Sequence, residues 1–136
     1  MDFSCVGTDS KGQYYMKYHK PFTFAERIQL LERSILVNSF AYYILDDNIL
    51  SDFQYDDNAK ELAELKKEHP EDFKRSRYYE YFKDYCNDDN MVYTSGFDLL
   101  ERVRKADYDL YSRLHEDASM ALRLKYNMKE RRDVHV

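Results

Sequence analysis

Apolar residues recur at helical spacing along most of this chain. Ile28, Leu31, Ile35 and Tyr42 mark one stripe, widened by Leu30, Leu36 and Val37. Thr23 stands three residues before Glu26, the spacing of a capping box, so a helix is predicted to open there. Asp46-Asp47-Asn48 is turn chemistry and ends it near Leu45. Ser51 and Gln54 form a second capping box, and Tyr55, Ala59, Leu62 and Leu65 share one face of the helix that follows. Pro70 stops that helix. Charges of both signs alternate from Lys60 to Arg77, the pattern of a solvated face. A shorter helix is predicted over Arg77 to Tyr85, and Asn87-Asp88-Asp89-Asn90 is a polar loop. Ser95 precedes Asp98 at capping-box spacing. Leu99, Val103, Ala106, Leu110, Leu114, Ala118, Ala121 and Leu124 then sustain a stripe that predicts one long helix, bent near Ala106-Asp107 and lying across the first two. The polar tail from Lys129 to Val136 is expected to fray.

Residues 1–22 read differently. Phe3 to Thr8, the turn Asp9-Ser10-Lys11-Gly12, and Gln13 to Tyr18 have the pattern of a short β-hairpin. The expected architecture is mostly α: an N-terminal extension over 1–22 with this hairpin, then a single small helical domain over 23–136. That domain has an antiparallel helix hairpin and a long C-terminal helix. Three Gly and two Pro in 136 residues agree, since an all-β chain would need more turns.

Composition removes several function classes. Apolar residues make up 43% and charged residues 35%, both spread along the chain, so wholesale disorder is not expected. The net charge of −5 argues against direct DNA binding, which needs clustered Lys and Arg. Cys5 and Cys86 form no metal or redox motif and fit free thiols in a reducing cytoplasm. No apolar run is long enough to span a bilayer, and the expected location is cytoplasmic, away from membranes. Fourteen Tyr and no Trp favour half-buried surfaces where a ring packs and a hydroxyl stays wet.

One constellation stands out. Asp52, Tyr55 and Asp56 lie at i, i+3 and i+4, a single helix face. Tyr42 and Tyr43 close the preceding helix, so an antiparallel pair with a short turn brings them near the start of the second helix. The product is a patch of phenol rings and two carboxylates at one end of a helix pair. The same tyrosines would also suit a helix–helix core, with Asp52 as a cap and Asp56 as a surface charge.

The run from Phe40 to Glu71 resembles the start of bacterial NAD-dependent DNA ligases, the small helical module (adenylation subdomain Ia) that grips the nicotinamide mononucleotide (NMN) half of NAD. The residues that carry the resemblance are Tyr42-Tyr43, the turn, Asp52-x-x-Tyr55-Asp56 and His69-Pro70-Glu71. It implies that Tyr42 and Tyr55 sandwich the nicotinamide, that Asp56 meets the amide and Asp52 the ribose, and that Tyr43 sits near the phosphate, where the family often has His. Nicotinamide is a flat cationic ring, which aromatic faces attract, and carboxylates accept from its amide or from ribose hydroxyls.

The rest of a ligase has no counterpart. The Lys-x-Asp-Gly context of the nucleophile is absent, and the only glycines are Gly7, Gly12 and Gly96. His115-Glu116 lacks a second His, and Asp88-Asp89-Asn90 lacks the other ligands of a calcium loop. The expectation is a protein that is not an enzyme, has no catalytic or metal-binding residue and needs no cofactor. It would bind NMN, NAD or a related nucleotide through Tyr42, Tyr43, Asp52, Tyr55 and Asp56. The alternative is a phage or mobile-element module that has lost the ligand and blocks a host enzyme or defence protein. Five Asp and no base between Asp46 and Asp57 suit either use. A third reading supplies the same surface in trans to a nucleotidyltransferase.

Overall fold

Both predicted capping boxes form, and they place the two helices that matter most. In the computed structural model, which describes residues 6–8, 14–16, 22–85 and 95–134, helix α1 spans Phe24–Tyr43. Thr23 accepts from the Glu26 N–H, and the Glu26 carboxylate accepts from the Thr23 N–H. Helix α2, Asp52–Glu68, opens on Ser51 in the same way with Gln54. Four rungs make the pair antiparallel. Phe24 stacks on His69 at 3.7 Å between ring centroids, and Arg27 holds Glu61 through two bonds of 2.7 Å. Asn58 reaches Ser34, and Ser39 meets Tyr55. The link between the helices turns through Asp46, whose φ of 55° is a left-handed conformation that Asp tolerates better than most residues.

Pro70 does end α2, through the cap residue His69, but it also starts a new helix. As the first residue of α3 (Pro70–Lys74) it occupies a position where no backbone N–H is needed. This turns Phe73 into the core. The alternating charges from Lys60 to Arg77 therefore do not describe a wholly solvated segment, since Leu62, Leu65, Phe73 and Ser76 within it are buried. The helix expected over 77–85 shortens to α4, Tyr79–Phe82. Lys66 on α2 donates to the carbonyls of Lys83 and Tyr85 just past its end.

The long helix expected after Ser95 is two helices, α5 (Gly96–Ala106) and α6 (Tyr108–Val134). The break falls where a bend is expected. Asp107 leaves helical geometry (φ −150°, ψ 86°), and its carboxylate accepts from the Leu110 N–H, so it caps α6. Arg102 on α5 pairs with Asp84 and donates to the Tyr81 carbonyl, fastening α5 to α4. Helix α6 packs on α1 through Leu110, Leu114, Ala118 and Leu122, with Phe40 set against the rings of Tyr111 and His115. Ala106 and Leu124, expected on this stripe, are exposed instead. The break re-phases the helix, and α6 meets α1 along an i, i+4 row that drifts away from Leu124 by Leu122.

In residues 1–22, the strands Val6–Thr8 and Tyr14–Met16 pair antiparallel, with Gly7 opposite Tyr15. The polar loop at Asn87–Asn90 and the ends of the hairpin lie outside the described residues. No described helix is long and apolar enough to cross a membrane.

Candidate functional site

A cavity of about 210 Å³ opens where α1 ends and α2 begins. Helix α1 contributes Asn38, Ser39, Tyr42 and Tyr43. The turn contributes Asn48, Ile49 and Leu50, and α2 contributes Asp52 and Tyr55. It is smaller than the roughly 300–1,000 Å³ of a drug-sized pocket, the right order for one flat ring and its substituent.

Four of the five residues singled out from sequence therefore share one cavity. Tyr42 is expected on the core stripe of α1, but that stripe closes with Phe40 and Ala41, and Tyr42 is 55% exposed. Its ring stands edge-on to that of Tyr43, 4.8 Å away and 87° between planes. Tyr55 is half-buried, and its hydroxyl is 3.0 Å from the buried Ser39 hydroxyl, which fixes the ring against the base of the cavity. Asp52 occupies the first turn of α2, where the helix dipole favours a carboxylate. Asp56 is exposed and does not line this cavity. Four residues further on, it is about one turn along α2, and it faces an adjoining hollow of about 330 Å³ shared by Tyr43, Tyr55, Lys60, Tyr85 and Ser95.

Sequence reasoning missed several wall residues. Asn38 and Ser39 sit one turn before the tyrosines, a spacing that could have singled them out. Gly96 at the start of α5 approaches so closely that a Cβ there would lie 2.5 Å from the Ser39 hydroxyl and 3.0 Å from the Tyr43 ring. Only glycine lets α5 close on that wall. The opposite wall is held from α6, where Lys125 donates to the Asn48 carbonyl and Tyr126 to the Asp47 carboxylate. That bond holds the Asp47 carboxyl below its ordinary pKa and pushes the Tyr126 phenol up. Tyr126→Phe should therefore raise backbone amide exchange at Asn48 to Leu50 about fivefold. The melting temperature should stay within about 2 °C, because the pair is exposed. Unchanged exchange would show that the turn holds itself.

Among the described lining residues Asp52 carries the one formal charge. The polar groups are hydroxyls, amides and that carboxylate. The Asn38 Oδ1 is buried with no hydrogen-bond partner among the described residues. The cavity can thus stack an aromatic ring, favour a positive charge and accept hydrogen bonds. No group of His, Cys, Asp or Glu among the described residues is arranged to hold a metal.

Residues 22–76, which are α1 to α3, match the family described as DNA ligase-like, N-terminal NAD+-binding domain. The chain therefore contains a DNA ligase-like NAD+-binding domain Ia. A DNA ligase of Petrotoga mobilis is 43% identical over 51 residues, 38% of this chain and 8% of the ligase. Those of Thermosipho africanus (42%) and Flavobacterium johnsoniae (40%) align over 48 residues, each 35% of this chain and 7% of the ligase. The chain thus spans less than a tenth of the length of these relatives. No solved structure matches. Helices α4 to α6, including both outer supports of the cavity, lie beyond the matched region.

Proposed function

We propose that this chain is a non-catalytic binding protein whose helix-hairpin cavity receives the nicotinamide end of NMN or NAD. The observation that carries this reading is a ring-sized cavity walled by Tyr42, Tyr43 and Tyr55, with Asp52 as the one charge among its described lining residues. A nicotinamide nucleotide carries a flat cationic ring, and the aromatic walls and the carboxylate both favour it. Tyr42 and Tyr55 stack the ring, Asp52 accepts from a ribose hydroxyl, and Tyr43 stands between this cavity and the hollow that holds Asp56. The family match over 22–76 supports the same ligand. No adenylyl transfer is assigned to the chain, because it has no Lys-x-Asp-Gly nucleophile.

Calorimetry with NMN is expected to show weak binding, on the order of 0.1–1 mM, since a cavity this small and open leaves most of the nucleotide in water. Tyr42→Ala should weaken it about tenfold or more, with little change in melting because the ring is exposed. Intact mass after incubation with NAD or ATP should show no AMP adduct. No heat and no chemical-shift change at millimolar NMN, with the protein folded, would end this reading.

A second reading has its own support. Phe53 is 73% exposed beside the cavity, and Met120, Leu124 and Met128 form an exposed i, i+4, i+8 row on α6. Such anchors suit a protein partner. A phage or mobile-element protein that blocks a host or defence protein would use them, with the ligand site vestigial. Co-purification of a partner that Phe53→Ala or Leu124→Ala disrupts, from a chain that does not bind NMN, would favour it.

A further inference from the structure

The cavity and the hollow beside it adjoin at Tyr43 and Tyr55, which line both. Along α2 the charged residues Asp52, Asp56 and Lys60 stand at i, i+4 and i+8, a row on one face with each about 6 Å beyond the last. The sign of the charge changes along this row. The cavity holds Asp52, and the hollow holds Asp56 and then Lys60. Lys60 is the one cation among the described residues lining either space. It is exposed and has no hydrogen-bond or ion-pair partner among the described residues. Across the hollow stand Tyr85, just after α4, and Ser95 and Gly96 at the start of α5. All three lie beyond the residues that match the ligase family, so this second compartment is built by the rest of this chain. Helix α5 comes close enough to wall it because position 96 has no Cβ to strike the Tyr43 ring.

We infer that this hollow is a phosphate subsite: the Lys60 ammonium pairs with the 5′-phosphate of a nucleotide whose ring lies in the cavity, so the protein selects the nucleotide over the unphosphorylated riboside. The inference rests on the nicotinamide reading above and deepens it. NMN is a zwitterion built in the order of the α2 row, with a cationic ring, a ribose and an anionic phosphate. A ring fills a cavity of about 210 Å³, so ribose and phosphate extend beyond it, and the hollow of about 330 Å³ adjoins it. Asp52 favours the cationic end and repels the phosphate, and Lys60 does the reverse. Asp56, between them, is an acceptor for a ribose hydroxyl. The flexible four-carbon stem of Lys60 lets its ammonium follow the phosphate and stand clear of Asp56.

The test compares NMN with nicotinamide riboside on the full chain by calorimetry. The native protein should prefer NMN by about fivefold or more at low salt, and roughly 0.5 M salt should shrink that preference, because the pair is exposed. In Lys60→Met, which keeps the stem and removes the charge, the preference should fall to about twofold or less, with the loss in NMN affinity and not in riboside affinity. Lys60→Arg should restore it, since a merely structural role for the stem would not separate Met from Arg. Lys60→Gln serves if the methionine variant melts early. No preference of the native protein for NMN over the riboside overturns the inference, and so does a preference that Lys60→Met leaves intact. Binding of neither ligand instead overturns the nicotinamide reading itself, and the native titration alone tells the two failures apart.

Discussion

Leu114→Asp should be close to unfolded at room temperature. Leu114 is 0% exposed between α6 and α1. Truncating such a leucine alone costs about 2–5 kcal/mol, and an ionised carboxylate with no partner there adds to it. A total on the order of 5 kcal/mol or more rivals the whole stability of a domain this size, roughly 5–15 kcal/mol. Thermal melting followed by circular dichroism should drop by about 15 °C or lose its cooperative transition. Leu110→Asp should be milder, because Leu110 lies nearer the rim and its carboxylate can reach water. Native-like melting of both would mean that α6 does not dock on α1 in solution, and would turn its apolar row into a partner surface.

Glu32→Gln should make the protein more stable at pH 8 and leave it nearly unchanged at pH 4. Glu32 points into the core from α1 and is 0% exposed. Its Oε1 accepts from the Ser76 hydroxyl, which in turn accepts from the Tyr78 N–H, and Oε2 has no partner among the described residues. Burial pushes this carboxyl up to about 7 from an ordinary 4.5, and the Ser76 bond works against that rise. Between those values the folded chain holds a proton that the unfolded chain has released. The stability is full below about 4.5 and is lost as pH rises through 7. The loss is on the order of 3 kcal/mol. Gln keeps the shape and the acceptor for Ser76 but cannot ionise, so its advantage should appear over this window and level off above it. Asp47 and Glu101, whose pKa values are lowered, act in the opposite sense at more acidic pH and cancel in the comparison. Ser76→Ala should push the Glu32 transition higher still. Parallel pH profiles for the native and Gln proteins would show that Glu32 is hydrated and not buried.

Much of the cavity's geometry is legible in the sequence because it depends on short spacings. Tyr42 and Tyr43 end one helix, Asp52 and Tyr55 begin the next, and a turn too short to let the helices part must bring them together. Asp56 illustrates the limit of that reasoning. Its i+4 relation to Asp52 is correct for one helix face, yet the rise along the axis carries it past the cavity into a hollow bounded by α5. Asn38 is legible only as a polar residue near the motif. That its Nδ2 turns back to the Ser34 carbonyl while Oδ1 is buried without a partner among the described residues is decided by the packing around it.

What the sequence determined by itself was the set of local commitments. Thr23 with Glu26, Ser51 with Gln54 and Ser95 with Asp98 start helices, because a side chain and a backbone N–H three residues apart can pair without help from the rest of the chain. The apolar rows showed that each helix has a face to bury. Only the tertiary structure decided what each face meets. The break at Asp107 re-phases α6 so that Leu122, and not Leu124, reaches α1, and Pro70 swings Phe73 inward. Glu32 ends in the core because Ser76, 44 positions away, is brought beside it, and the cavity wall is held by Lys125 and Tyr126 from the far end of the chain. A periodic pattern encodes that a surface avoids water, which is a property of each residue and its near neighbours. It does not encode the partner, because apolar contact is non-directional and that choice is made by packing among segments distant in sequence.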